Sequence, residues 1–126
     1  MADSGTLATT AQVLLAIGEN AGTNQTSETN TNIWILMAES EMEKAFGLLG
    51  ESPDLVASYG EITASYKQWL AIIASHRAAF YAISQNQNSW QLATTQSKLN
   101  VCDAIWKGFI FDLKANSSEI VSQMGL

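Results

Sequence analysis

Apolar side chains recur every three or four positions from about Trp90 to Lys114, through Leu92, Leu99, Cys102, Ile105, Trp106, Phe109 and Leu113, with no proline among them. That spacing lays one broad apolar face along a helix, whereas a strand would need alternation by two. At 1.5 Å per residue the helix is about 37 Å long, which is long for a domain of 126 residues. The partners of this strut must bury its apolar face, and the rest of the chain supplies more helices to do so.

The strongest of them follows Ser65 and Gln68, which have capping-box spacing. Trp69, Ile72, Ile73, His76, Ala79, Phe80 and Ile83 then form a stripe running to about Gln85, and Ala71, Ala74, Ala78 and Ala82 add helix propensity and allow close approach. Burying the large members of this stripe contributes about 1.5 to 3 kcal/mol each. The amides Gln85 to Asn88 break the pattern, and Ser89 is placed to cap the last helix. Upstream, Ile35, Ala38, Met42, Ala45 and Phe46 mark a helix from about Ile33 to Phe46, with Asn30 or Asn32 as cap and Gly47 as stop. A short helix from about Leu7 to Ile17, stopped by Gly18, precedes it. Between the two, Glu19 to Thr31 has no large apolar residue and reads as a mobile loop. Leu48 to Glu61, with Pro53, reads as a connector with one helical turn at Asp54 to Tyr59.

The expected fold is therefore all-α: one domain, residues 1–116, of about four helices with a long C-terminal helix and a mobile loop after the first. Residues 117–126 carry only Ile120, Val121, Met124 and Leu126 as large apolar groups. Ordering them costs about 1 to 2 kcal/mol per residue in backbone entropy, so they are expected to be a tail that a partner orders. With Trp34 and Trp90, which stand near helix starts and off the best stripes, these four are the candidate protein-interface residues.

Charge narrows the partners. Charged residues are 14% of the chain, and the 39 Asn, Gln, Ser and Thr outnumber the 18 charged groups by about two to one. Such a surface is cheaper to desolvate than one dense in Lys and Glu. Net charge is −6, divided as −8 over residues 1–63 and +2 over residues 64–126. An acidic chain is repelled by phosphate backbones, which disfavours direct nucleic-acid binding. The polarity also suits packing of the acidic half of one copy against the more basic half of the next. No stretch reaches the roughly 18 apolar residues of a membrane span, and the N-terminus lacks a signal-peptide pattern.

Nothing in the residue pattern asks for a cofactor or metal. His76, the single histidine, lies in an apolar stripe, and Cys102, the single cysteine, excludes an internal disulfide or a cysteine zinc site. Glu39, Glu41 and Glu43 alternate by two, which points them in different directions around a helix. No phosphate-binding glycine motif or HExxH pattern occurs. Both His76 and Cys102 are read as structural, and the chain as non-enzymatic.

The order of segments resembles the head-to-tail connector (adaptor) proteins of tailed bacteriophages. The likeness runs over about residues 6–115. It rests on Asn32 to Gly47, with the run Ala38-Glu39-Ser40-Glu41-Met42-Glu43-Lys44-Ala45-Phe46-Gly47, on the alanine-rich Tyr66 to Ser84, and on the long Leu99 to Lys114. The resemblance implies a structural protein of the virion neck, made in the host cytoplasm. It implies a homo-oligomeric ring of about twelve copies that joins portal to tail or neck proteins, docks through its C-terminal segment and lets DNA pass without sequence-specific binding. A capsid decoration protein, or a non-viral helical module that captures a partner helix, is the alternative expectation.

Overall fold

The computed structural model describes residues 5–18, 21–51, 53–85 and 91–126, and among them helix is the only extended regular structure. The helices are α1 (Thr10–Ile17), α2 (Thr23–Thr26), α3 (Glu28–Leu48), α4 (Ala64–Gln85) and α5 (Leu92–Met124), with a 3₁₀ turn at Tyr59–Glu61. The all-α, single-domain expectation holds, with a long C-terminal helix.

α4 is the centre, packed against α1, α3 and α5. Its alanines make this possible: Ala74, Ala78, Ala79 and Ala82 are all fully buried, so neighbouring backbones come close on more than one side. The core has two parts. One gathers Leu7, Met42, Phe46, Leu55, Leu70, Phe109, Leu113 and Met124, and the other Val13, Ile17, Ile35, Ile83 and Cys102 around the alanines. Phe109 is the hub of the first. Its ring centroid lies 6.0 Å from Phe46 of α3, 5.6 Å from Trp69 of α4 and 5.2 Å from Trp106, at the offset geometries aromatic pairs favour.

The helix ends show local chemistry at work. Thr9 caps α1 in a reciprocal box: its hydroxyl accepts from Gln12 N–H, and its own N–H donates to the Gln12 side chain at 2.9 Å. At the other end Lys98 Nζ donates to Ile17 O at 2.6 Å, placing a cation on the exposed carbonyls. α3 does not stop at Gly47. It runs to Leu48, and Gly50, at φ +84°, supplies the left-handed residue: Gly50 N–H bonds to Gly47 O and Glu51 N–H to Phe46 O. α5 ends by the same device at Gly125.

Several expectations need correction. Most of the described part of Glu19 to Thr31 is helical, because α3 starts five residues before Ile33 and α2 precedes it. Gln25, fully buried, pins this segment by donating Nε2–H to Ala82 O at 2.9 Å, and its Oε1 accepts from Gly22 N–H at 2.7 Å. A buried amide satisfied at both ends fixes a segment that has no large apolar residue. Ser27, rather than Asn30 or Asn32, caps α3. α4 begins at Ala64, so Ser65 lies inside it. The proposed Ser89 cap lies outside the described residues.

The largest difference is at the C-terminus. Residues 117–126 are not an appendage: α5 continues to Met124, with non-helical φ and ψ only at Asn116. The break redirects the last two turns, so that Ile120 and Met124 join the first core while Val121 and Leu126 pack against it. The missing burial comes from the chain itself, and no partner is required to order the segment.

Candidate interaction surfaces

The six residues singled out from sequence do not form one surface. Met124 is fully buried, Ile120 is buried, Val121 and Leu126 lie against the same core, and Trp34 packs half-buried against the second core part. Trp90 lies outside the described residues. The last ten residues carry nothing of their own to cover these side chains, and it is the first core, assembled from the rest of the chain, that does so.

His76, Cys102, Glu39, Glu41 and Arg77 are each engaged within the fold. His76 is not on the buried stripe of α4; its Nδ1 lies 2.8 Å from Ile72 O of its own helix, and Ile72 itself is half exposed. The buried side of α4 keeps Ile73, Ala79 and Ile83 of the expected stripe and adds Leu70, Ala74, Ala78 and Ala82. Burial pushes the Cys102 thiol up to about 11, against an opposing pull from Lys98, so at neutral pH it is a protonated core group rather than a nucleophile. Glu39 is buried, and its Oε2 accepts from Thr6 N–H at 2.6 Å and Leu7 N–H at 2.5 Å. It ties the extended segment before α1 to α3. Glu41 Oε2 takes two bonds from Arg77, at 3.1 Å from Nε and 2.8 Å from Nη2. The same guanidinium lies 4.5 Å from the Trp106 ring centroid and 5.2 Å from those of Phe80 and Tyr81. Among the described residues no three His, Cys, Asp or Glu side chains are grouped as metal ligands.

Among the described residues twelve large apolar side chains are exposed, and those that cluster mark candidate contact surfaces. On α3, Ile33, Leu36, Met37 and Ser40 fall at i, i+3, i+4 and i+7, opposite Ile35, Ala38 and Met42, and line a shallow hollow of about 430 Å³ with Glu41. Leu36 continues this face into a second hollow with Val56. A groove between α1 and α4, also about 430 Å³, exposes Leu15 and Ile72 with His76 at its edge. A cleft of the same size near the end of α5 is lined by Tyr66, Trp69, Asp112, Glu119, Ile120 and Gln123. The Tyr66 hydroxyl donates to Gln123 Oε1 across it at 2.5 Å. On α5, Val101 and Phe111 face solvent, Phe111 at 72% exposure.

These faces had a sequence signal. Ile33, Leu36 and Met37 are apolar at helical spacing but out of phase with the core stripe of the same helix, as Val101 and Phe111 are on α5. No helix among the described residues is long and apolar enough to cross a membrane. Comparison with protein-family models, curated proteins and solved structures gives no match.

Proposed function

We propose that this chain is a structural assembly subunit that works by contact rather than by catalysis, in the form its segment order suggests: a head-to-tail connector in the neck of a tailed-phage virion. The observation that carries this reading is the pair of apolar faces on α3 and α5, each turned away from the core of its own helix. A ring about a single axis needs two different faces on every subunit, one for each neighbour. The acidic first half and more basic second half of the chain favour heterologous contact over like-on-like contact. Tethered His76, the protonated thiol of Cys102 and the paired Arg77 agree with a chain that has no reaction to perform.

In this role the subunits ring the channel beneath the portal and pass DNA without gripping it, which an acidic surface suits. With Ile120 and Met124 in the core, portal docking falls to exposed apolar groups instead. The test is native mass spectrometry of the purified chain alone and mixed with a portal protein, with electron microscopy of the mixture. A symmetric ring on the portal is expected. Monomers that ignore the portal would remove the connector reading.

A further inference from the structure

α5 carries two apolar stripes on nearly opposite sides. The inner one, Thr95, Leu99, Cys102, Trp106, Phe109 and Leu113, faces the bundle, and all its members are buried or half-buried. The outer one is Val101, Ala104, Gly108, Phe111 and Ala115, spaced by 3, 4, 3 and 4, and every member is exposed. Steps of three and four give the heptad seam through which two helices pack, with these residues at its two central positions. Gly108 has no explanation within the chain, since a Cβ there would meet nothing within 4 Å. A helix-interior glycine costs up to about 1 kcal/mol relative to alanine, so its use fits a place where another surface comes close.

The charges beside the seam select the occupant. Lys107 and Lys114 flank it on one side and Asp112 on the other, and all three are exposed. In a parallel pair of helices each flanking residue faces the one five positions further along in the partner. Lys107 of one copy then meets Asp112 of the other, within the straight part of α5 before the break at Asn116. Antiparallel pairing sets lysine against lysine and acid against acid. The same register seats the ring of Phe111 between Gly108 and Ala115 of the other copy, where the small residues leave it room. Lys107 is held by Asp103 in its own chain at 2.8 Å, with 76% of its side chain exposed, and such an exposed pair is readily exchanged.

We infer that a second copy of this chain covers the outer face of α5, the two helices lying parallel about a two-fold axis. The helices are already folded, so pairing need not supply the cost of ordering them. Neighbours in a ring about one axis meet through unlike faces, so this two-fold pair is a form of the free chain. It occupies the α5 face that the connector reading gives to a ring neighbour, so the pair must part before a ring forms.

Sedimentation of the full chain from low- to high-micromolar concentration tests it, with Phe111→Asp, Lys107→Asp and the swap Lys107→Asp/Asp112→Lys. All change exposed side chains, and circular dichroism melts verify that each variant folds. Expected are a concentration-dependent dimer for the parent chain, weakening by at least about tenfold in Phe111→Asp, a smaller weakening in Lys107→Asp, and recovery in the swap. A parent chain that stays monomeric overturns the proposal, as does a dimer indifferent to Phe111→Asp. A swap no better than Lys107→Asp overturns the parallel arrangement. Portal binding is measured separately, so neither result is mistaken for failure of the connector reading.

Discussion

The backbone N–H of Thr63 donates to the carbonyl of Met124 at 3.2 Å, tying the end of α5 to the residue just before α4. Gly125 follows at φ +91°, where a Cβ would lie 3.3 Å from Glu61 O. The last turns of the chain are therefore part of the bundle.

Truncation after Asn116 is accordingly expected to lower the melting temperature sharply and to expose apolar surface, because it removes Ile120 and Met124 from the first core. The single change Met124→Ala should cost about 2 to 5 kcal/mol, measured by urea unfolding. A truncated chain that melts like the parent would show that these contacts contribute little.

Two glycines should respond in opposite directions. Gly18 sits at φ 91°, ψ −171°, a region nearly confined to glycine, and a Cβ there would lie 2.5 Å from Lys98 Nζ. Gly18→Ala is expected to destabilise by about 1 to 3 kcal/mol. Gly108→Ala, in open space inside a helix of the single chain, is expected to stabilise the monomer by about 0.5 to 1 kcal/mol. Thermal melts of the two variants side by side decide both signs.

Arg77→Lys should be far from conservative. Lysine cannot make both bonds to Glu41 or stack its head group on Trp106 as guanidinium does. A loss of about 1 to 3 kcal/mol is expected, and a double-mutant cycle with Glu41→Gln should return a coupling free energy clearly above that of an exposed pair.

Cys102 gives the fold a dependence on alkaline pH. Burial pushes its thiol up to about 11 in the folded chain, from an ordinary value of 9.0, so between these values the folded state holds a proton that the unfolded state has released. Stability is full below about pH 9 and falls as pH rises toward 11, by about 2 to 3 kcal/mol in all. Cys102→Ala should flatten this part of the stability profile. Ellman's reagent should also react slowly with the native chain and rapidly after unfolding.

Replacing Glu39 should release the segment before α1. Glu39→Ala leaves the buried N–H of Leu7 and the half-buried N–H of Thr6 without their acceptor, at a cost of about 1 to 3 kcal/mol. Faster amide exchange at these two residues is the direct readout.

Four of the helices and the long final strut were legible in the sequence, because the 3.6-residue period of apolar groups is a local property that needs no partner to be read; α2, which has no large apolar residue, was not. Leu99, Cys102, Trp106, Phe109 and Leu113 sit on the core side as their spacing dictates. The same pattern could not show that Gln25 would reach Ala82 O, that Glu39 would be buried as an acceptor for Thr6 and Leu7, or that a break at Asn116 would aim Ile120 and Met124 inward. Each joins residues far apart in the chain or depends on one backbone angle, and whether a polar group is buried rests on partners that only the fold assembles. The outer stripe of α5 lies between these cases. Its residues and charges are written at fixed intervals in the sequence, but only tertiary packing decided which of the two stripes the bundle would bury and which it would leave to solvent.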